Sequence, residues 1–567
     1  MSRVLLARDG ASAWTVVTPD EMTAVEKTAV REWTDHFTKI TGVTLPIVPH
    51  SSFSDGKGIF IGPCGSEAEL DRSSLSNEGY FYRVTPDRVQ ICGNTPQGTL
   101  YGVYSFLEDV LGCRWFTETL TVIPEASELA VEECEKSFVP PMHYRAASFA
   151  DAQESVYCAR NKLNARSRIP AEYGGAVDFG IGFVHTLPWL IPDELYDAHP
   201  EYFPLIGGKR VVGQWQQRCL TNPDVLAITV EKVREAFRAH PEYKVCSVSQ
   251  NDGYADETGC TCDACRAVND AEGSLMGTQL RFVNAVADAI REEFPDRYIE
   301  TLAYRFTRHV PKLTRPRSNV IIRLCSIECC FSHAIDACQH SNPAFIRDME
   351  DWADITDNIY IWDYVTNFSH YLAPQPNLHV LGPNMKFFVD HHTVGMFPEG
   401  APDARGAEMS ELKAWILAKL EWDPDYPVDR GVEEFIRAYC GRGWKPIWDY
   451  VTELNDRAER IGSHRGCYAE PDREFFPLDF VERAENAFAQ AKALAENEET
   501  LTRIRRWEMS IRYLRLYLYG DTIPADKVSD TAEAFLADLP RLGISKLHEG
   551  GTSETGRERI FSRIGRI

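Results

Sequence analysis

Apolar residues in the first 135 positions follow two spacings, one helical and one typical of strands. The helical spacing runs from a capping signal, Thr18 with Glu21 three residues later, to Gly42, which favours a helix end. The segment GIFIGP indicates a short buried strand, and GYFYRVTPDRVQICG indicates two strands joined at a Pro-Asp turn. A second helix, GTLYGVYSFLEDVLGCRWF, closes at Gly112. These elements predict a small α/β domain over residues 1–135.

Short apolar runs alternate with helical stretches between residues 136 and 407. Helical periodicity is evident in PDVLAITVEKVREAFRAH and LRFVNAVADAIREEF. Eight apolar runs with helices between them predict a (β/α)8 TIM-like catalytic barrel. The eight runs are HYRAASF, KLNARSRI, DFGIGFVHT, KVCSVSQ, YIETLAY, NVIIRLCS, NIYIWDY and TVGMFPEG.

From residue 408 to residue 567 the apolar positions keep a helical spacing, as in ELKAWILAKLEW and DFVERAENAFAQAKALAENEETLTRIRRWEMSIRYLRLYLYG. This region therefore predicts an α-helical domain that packs on the barrel. Its apolar faces either close one side of the barrel or form the interface of a homodimer.

Composition and charge exclude two classes of partner. With 60 Lys and Arg residues against 84 Asp and Glu residues, the formal net charge of −24 repels a phosphate backbone, so nucleic acid is not an expected partner. No apolar run reaches the roughly 18 residues of a membrane-spanning helix. The segment MSRVLLARDGASAW has too short an apolar stretch for a secretion signal, which predicts a cytoplasmic protein, or an exported one if a leader has been removed.

Polar and aromatic side chains lie at the point where most of the predicted barrel strands end. Side chains at the carboxyl ends of barrel strands point into the site in this fold, so these residues are expected to share one rim. They are His185, Asn251, Asp252, Tyr304, Arg305, Glu328, Trp362, Asp363, Tyr364 and Glu399.

Four carboxylates beside aromatic rings are typical of a glycosidase cleft. Cleavage of an acetal needs an acid that protonates the leaving oxygen, and either a carboxylate nucleophile or a way to stabilise the positive anomeric centre. Trp362 and Tyr364 would stack on a sugar ring. Two other interpretations stay open: the acids cap helices or pair with arginines, and Asn251-Asp252-Gly253 is only a turn.

Several segments in a fixed order carry a resemblance to one family over about residues 90 to 400. They resemble the domain of unknown function 4838, which includes glycoside hydrolase family 163, whose members are endo-β-N-acetylglucosaminidases acting on N-glycan cores. GTLYGVYSFLEDVLGCRWF resembles the small α/β domain before the barrel of α-glucuronidases and β-hexosaminidases. The other segments are HPEYFPLIGGKR, CLTNPDVLAITVEKVREAF, VSQNDG with CTCDACRA, IETLAY, RLCSIECCFSHAIDAC and IWDYVTNFSHYLAPQPNL.

The resemblance implies a retaining hydrolase of an oligosaccharide or glycan, in which the acetamido oxygen of the substrate is the nucleophile. Glu328 is then the general acid/base, and Asp252 with Asn251 orients the acetamido group, with the roles of Asp252 and Glu328 interchangeable. No cofactor is required, and the missing export signal favours a small imported saccharide. The implied sugar-binding residues are His185, Tyr304, Trp362, Asp363, Tyr364 and Glu399, with Asp363 and Glu399 as second-choice acids.

Two alternatives remain. A glycosidase acting on another sugar, such as a uronic acid, would use two protein carboxylates about 5–5.5 Å apart, and Arg145, Arg305 and Arg323 would line its pocket. A non-catalytic carbohydrate-binding barrel would leave Glu328 against an arginine with no cleft above it.

Three cysteines, Cys260, Cys262 and Cys265, lie at C-x-C-x-x-C spacing close to Asp252. Zinc takes four ligands in tetrahedral geometry, so a structural zinc ion needs a fourth ligand. The alternative is reduced thiols packed in a loop. In either case the cysteines shape the loop that carries Asp252. The available fourth ligands are Cys325, Cys329, Cys330, His333 and Cys338.

Overall fold

A computed structural model describes residues 3–64, 72–165, 169–213, 215–253 and 259–564. Its N-terminal part confirms the α/β composition expected there: a six-stranded mixed sheet in the order β10-β5-β6-β4-β2-β3, with two helices and a separate β1–β9 pair. The strands are β1 (Arg3–Arg8), β2 (Trp14–Thr18), β3 (Ile47–Pro49), β4 (Lys57–Ile61), β5 (Tyr80–Val84), β6 (Arg88–Gly93), β7 (Arg114–Trp115), β8 (Thr121–Val122), β9 (Glu128–Glu132) and β10 (Cys134–Phe138), and the helices are α1 (Ala24–Thr41) and α2 (Pro96–Asp109).

Helix α1 begins five residues later than its sequence signal suggests. Thr23 is the N-cap, and its hydroxyl accepts from the backbone of Glu26 while the Glu26 carboxylate accepts from the backbone of Thr23. The prediction that Thr18 caps this helix is wrong, because Thr18 is the last residue of β2. The predicted end is confirmed: Gly42 takes a φ of 72°, a conformation that favours glycine.

The middle of the chain forms a seven-stranded parallel sheet in the order β11-β19-β18-β17-β16-β15-β12. A small hairpin, β13–β14, lies outside it. The strands are β11 (Tyr144–Arg145), β12 (Phe179–Gly180), β13 (Leu205–Ile206), β14 (Lys209–Arg210), β15 (Val245–Ser247), β16 (Tyr298–Ala303), β17 (Val320–Cys325), β18 (Ile359–Tyr364) and β19 (Thr393–Glu399), and the helices are α3 (Ser155–Arg160), α4 (Leu187–Leu190), α5 (Pro223–Ala239), α6 (Asp263–Glu272), α7 (Met276–Ile290), α8 (Pro343–Ala353) and α9 (Leu378–Asp390).

The predicted eight-stranded barrel is confirmed only as a parallel half-barrel sheet. The run KLNARSRI, expected to be a strand, contributes a single parallel bridge, Ala165 to Val177, among the described residues. Around it the Asn164 N–H donates to the Arg145 carbonyl (3.1 Å), and the Val177 N–H donates to the Asn164 carbonyl (2.7 Å). The segment therefore hydrogen-bonds on one side to Arg145 of the edge strand β11. On the other side it bonds to Val177, which precedes the edge strand β12 by two residues.

The space enclosed by the parallel strands is filled by large side chains. Arg323 on β17 and Glu300 on β16 form a fully buried ion pair with a 2.7 Å contact. The rings of Tyr144 and Tyr360 stack at 5.1 Å next to the Arg323 guanidinium. Because this layer occupies the interior, a ligand is accommodated above it, at the carboxyl ends of the strands.

The C-terminal part is helical, as predicted. Helix α10 is buried on every face, so it forms the join between the half-barrel and the remaining helices. No helix in the described part of the chain is long and apolar enough to cross a membrane. The helices are α10 (Ser410–Trp422), α11 (Val428–Cys440), α12 (Trp444–Ile461), α13 (Leu478–Ala493), α14 (Glu498–Tyr519), α15 (Val528–Arg541) and α16 (Ser553–Ile564).

Candidate functional site

A cavity of about 140 Å³ opens at the carboxyl ends of the parallel strands. Strands β16, β17, β18 and β19 each end at this cavity, and Asp252 reaches it from the segment after β15, which is why residues distant in sequence meet there. Six of the residues expected from the sequence line it: His185, Asp252, Tyr304, Trp362, Tyr364 and Glu399. The other lining residues are Leu302, Cys325, Ile327, Tyr468 and Glu549.

Strand alternation decides which residues of β18 reach the cavity. Trp362 and Tyr364 line it, whereas Asp363 between them points to the opposite face and is 4% exposed. The Ser326 hydroxyl donates to Asp363 Oδ1 at 2.8 Å. Burial raises the pKa of Asp363 to about 6. Asp363, expected to bind sugar, therefore lies outside the cavity lining.

Glu399 is oriented by the aromatic wall of the cavity. The Trp362 indole N–H donates to Glu399 Oε2 at 2.9 Å. The Trp362 ring in turn lies against Phe397 at 4.7 Å, in an edge-to-face contact. The Trp362 N–H therefore fixes the orientation of the Glu399 carboxylate at the cavity wall, as the positioning of a general acid requires.

Asp252 presents a carboxylate oxygen that lacks a hydrogen-bond partner among the described residues. Its Oδ1 is buried without a hydrogen-bond partner in the described part of the chain. Buried polar atoms are usually hydrogen-bonded, so this atom is available to a ligand donor. Burial, followed by the nearby Asp252 carboxylate, raises the pKa of Tyr304, which therefore remains a neutral hydroxyl.

Two non-glycine residues at the rim have left-handed backbone conformations. His185 has a φ of 55° and Arg305 a φ of 49°; such conformations are uncommon outside glycine and cluster at functional sites. His185 Nδ1 lies 2.7 Å from the Gln250 carbonyl oxygen, so Nδ1 carries a proton and donates it to that oxygen. The Arg305 guanidinium donates to the Tyr304 hydroxyl at 2.8 Å.

The C-terminal helical region completes the cavity with two residues that sequence patterns did not identify. Tyr468 is half exposed, and its ring packs on Phe368 at 5.6 Å. Burial raises the pKa of Glu549, and the Asp403 and Asp252 carboxylates raise it further. Both residues follow helices. A search for polar residues after predicted barrel strands could therefore not identify them.

Glu328 does not line the cavity with Asp252. Its carboxylate pairs with Arg308, which also contacts Asp348 at 2.5 Å. Ile327, one position earlier, is the residue that faces the cavity. The expected placement of Asp252 and Glu328 over one hollow is therefore not observed among the residues that line this cavity. The Glu328 side chain is 41% exposed beside Arg308, and its role as the acid stays a prediction.

Asn251 braces the loop after β15. It is 1% exposed and its Nδ2 donates to the Gln216 carbonyl at 2.5 Å. Its backbone N–H and carbonyl both bond to the Gln217 side chain, at 3.0 and 2.9 Å. Asn251 thus fixes the backbone next to Asp252, and it is not among the residues that line the cavity.

The three cysteines of the C-x-C-x-x-C segment meet a fourth, Cys219, and the four sulfur atoms lie within 4.8 Å of one another. This fourth partner precedes α5; it is not drawn from the expected segment 325–338. Cys219 Sγ is 3.7 Å from Cys262 Sγ and 3.9 Å from Cys265 Sγ. A tetrahedral zinc–sulfur site has sulfur–sulfur edges of about 3.8 Å. The cysteine quartet, Cys219, Cys260, Cys262 and Cys265, therefore fits a zinc ion.

Hydrogen-bond donors next to the cysteine quartet would stabilise deprotonated cysteines. The Leu205 backbone N–H donates to Cys260 Sγ at 3.3 Å, and the Arg210 guanidinium approaches the same sulfur at 3.7 Å. Such contacts stabilise the negative charge that metal-bound sulfur carries.

Two protein-family models match this chain. A family model described as Domain of unknown function (DUF4838) matches residues 115–455. A second, described as Glycosyl hydrolase family 67 N-terminus, matches residues 7–106. No curated protein matches the chain.

Two solved structures share the fold. One is described as a novel family GH115 4-O-methyl-alpha-glucuronidase, BtGH115A, with specificity for decorated arabinogalactans; the identity is 11%, the match covers 99% of this chain and 80% of that chain, and the TM-score is 0.60. The other is CpGH84D, at 11% identity over 100% of this chain and 97% of that chain, with a TM-score of 0.50. Likeness at this identity shows the fold alone.

Proposed function

The chain belongs to the DUF4838 family, and we propose that it is a glycoside hydrolase that cleaves β-N-acetylglucosaminide-type bonds with retention of configuration. The observation that carries this proposal is the cavity itself. Asp252 and Glu399 meet there beside Trp362 and Tyr364, at the strand ends where barrel enzymes bind substrate. The likeness of the fold to glycoside hydrolase structures supports the reaction class. The assignment to family 163 stays a prediction.

The proposed reaction uses the two carboxyl groups of the cavity, Glu399 and Asp252. Glu399, held by the Trp362 N–H, donates a proton to the leaving oxygen as the glycosidic bond breaks. The acetamido oxygen of the substrate attacks the anomeric carbon, and Asp252 accepts a hydrogen bond from the acetamido nitrogen. Glu399 then takes a proton from water as the water opens the cyclic intermediate. The sugar face stacks on Trp362.

A uronic acid substrate is the second candidate. Arg145 and Arg323 are fully buried in ion pairs with Glu78 and Glu300, so neither is offered to a ligand. No lysine or arginine is among the described residues lining the cavity, and its carboxylates would repel an anionic sugar. Arg305, which contacts Tyr304 at the rim, favours a uronate, and so does the likeness of the fold to a 4-O-methyl-alpha-glucuronidase.

We also propose that the cysteine quartet binds a structural zinc ion. Four protein ligands leave no open coordination position, so the ion would stabilise the loops without taking part in the reaction. One ligand, Cys219, lies two residues from Gln217, whose side chain bonds to the backbone of Asn251. The ion would thereby help to fix the segment that carries Asp252.

Hydrolysis of aryl glycosides tests the function. The protein should release the aryl group from an aryl N-acetyl-β-glucosaminide, and a thiazoline that mimics the cyclic intermediate should inhibit it competitively. An aryl glucuronide and an aryl β-glucoside serve as comparison substrates. Faster cleavage of the glucuronide would establish the second candidate. No cleavage of any of these or of chitobiose-containing glycans would favour a non-catalytic carbohydrate-binding barrel.

A further inference from the structure

A second group of metal-ligand side chains lies at the junction between the half-barrel and the helical region. Cys330, His333 and Cys338 come from the segment after β17, and His464 comes from the segment between α12 and α13. One ligand atom from each residue lies within 4.8 Å of the other three. We propose that these four residues, the junction cluster, bind a zinc ion.

The contacts within the junction cluster match tetrahedral coordination. Cys330 Sγ is 3.3 Å from His333 Nδ1, and Cys338 Sγ is 3.3 Å from His464 Nδ1. With zinc–sulfur and zinc–nitrogen bonds near 2.3 and 2.0 Å, a sulfur–nitrogen edge of such a tetrahedron is about 3.5 Å. Two sulfur and two imidazole nitrogen ligands form one of the common structural zinc sets.

The ligand atoms of the junction cluster are close enough for one ion to reach all of them. Thiol–imidazole contacts link Cys330 to His333 and Cys338 to His464. The two pairs lie side by side, with the His333 and His464 rings 4.6 Å apart. A cation between them would accept one lone pair from each of the four residues.

Backbone contacts on both sides hold the ligands of the junction cluster in position. The Phe331 N–H donates to the Arg465 carbonyl at 2.9 Å. The Ser332 hydroxyl donates to the Ser463 carbonyl at 2.6 Å and accepts from the Arg465 N–H at 3.1 Å. These bonds flank His464, so the two chain segments are already aligned when an ion arrives.

A zinc ion here would stabilise one wall of the cavity. Ile327 precedes Cys330 by three residues, Tyr468 follows His464 by four, and both line the cavity. His464 is exposed, so the ion can enter from solvent. Four protein ligands close the coordination sphere, and the ion is structural. Binding displaces the two thiol protons, so affinity falls as the pH is lowered.

Metal content of the full-length protein tests the site without any substrate, so the result is independent of the glycosidase proposal. After exposure to zinc chloride and dialysis against metal-free buffer, mass spectrometry should find two zinc ions per chain. His464→Ala, at an exposed position, should retain one, and Cys262→Ser in the quartet should also retain one. The double variant that carries both His464→Ala and Cys262→Ser should retain no zinc. His340→Ala is the matched control, because the exposed His340 ring stacks on His464 at 4.4 Å without being a ligand, and it should retain two.

The proposal is overturned if His464→Ala binds as much zinc as the wild type. It is equally overturned if the wild type binds a single ion that Cys262→Ser removes and His464→Ala keeps, or binds none. A single ion that only His464→Ala removes would support the junction cluster and refute the quartet. Cobalt substitution gives a second readout: the wild type should show thiolate-to-cobalt charge-transfer absorption that weakens in His464→Ala.

Discussion

At the residue scale, the contact between Trp362 and Glu399 is the most informative in the cavity. It joins the aromatic surface on which a sugar ring can stack to the carboxyl group that can protonate a leaving oxygen. Asp252 complements it with a buried oxygen that has no hydrogen-bond partner in the described part of the chain. Directional groups of this kind distinguish a reaction site from a cavity that merely holds a ligand.

Amide variants test which carboxyl groups take part in the reaction. Glu399→Gln and Asp252→Asn preserve shape and remove the acid, so each should lower kcat/KM on the aryl N-acetyl-β-glucosaminide by about 10²–10⁴. Glu328→Gln is the control, because Glu328 pairs with Arg308 outside the cavity lining, and it should stay near the wild-type rate. A large loss in Glu328→Gln with little loss in Glu399→Gln would return the acid role to Glu328.

Strand-end patterns in the sequence identify six of the cavity-lining residues, whereas Glu328, identified in the same way, lies outside the lining. Polar residues that follow predicted strands mark the rim of a parallel sheet, which suffices to find His185 and Asp252 although each follows its strand by five positions. Whether a given side chain faces inward depends on a shift of one position. Ile327 takes the inward place after β17, and Glu328 turns toward Arg308.

At the element scale, β18 shows how one strand serves two environments. Trp362 and Tyr364 face the cavity, and Asp363 faces the buried opposite side with Ser326 as its donor. Strand identity and alternation were predictable from the run NIYIWDY. Which of the two faces met the cavity was not, because every position of this strand except Trp362 is buried.

Replacement of Asp363 by asparagine should change stability with pH and leave activity intact. The pKa of Asp363 rises from 3.8 to about 6 in the folded protein. The free energy of unfolding of the wild type relative to Asp363→Asn should therefore fall as the pH rises from about 4 to 6, by about 3 kcal/mol in total. The amide oxygen of the variant can still accept the hydrogen bond from Ser326. Urea unfolding of both proteins at pH 4.5 and 7.5 measures the change, of which about 2 kcal/mol falls between these two pH values.

The control for this effect is Asp357→Asn, whose side chain is 89% exposed in the wild type. Its stability relative to the wild type should vary little over the same pH range. A wild-type-to-Asp363→Asn difference that stays constant with pH would show that Asp363 is ionised in the folded protein throughout.

At the scale of the whole molecule, the three regions of the chain are joined by buried polar contacts. Arg145 on β11 is fully buried and pairs with Glu78 of the N-terminal part at 2.7 Å. The C-terminal part contributes Tyr468 and Glu549 to the cavity. Helix-rich and strand-rich regions were predictable from periodicity, whereas these contacts were not, because they join residues with no shared local pattern.

Removal of Glu78 should destabilise the protein strongly. Glu78→Ala leaves the Arg145 charge buried without its carboxylate, which typically costs about 3–5 kcal/mol. Glu135→Ala breaks the exposed pair with Arg83 and should cost about 1 kcal/mol or less. Denaturant unfolding of both variants measures the contrast. Equal losses would mean that the Arg145–Glu78 pair is not a buried join between these regions.

The measurement that tests the central claim most directly is a crystal structure of the wild-type protein with a thiazoline mimic of the cyclic intermediate. The pyranose ring should lie on Trp362, with the nitrogen of the fused ring within hydrogen-bonding distance of Asp252 and the Glu399 carboxyl group beside the anomeric carbon. A mimic bound at another surface, or a cavity that excludes it at saturating concentration, would contradict the assignment of this cavity as the site of glycoside cleavage.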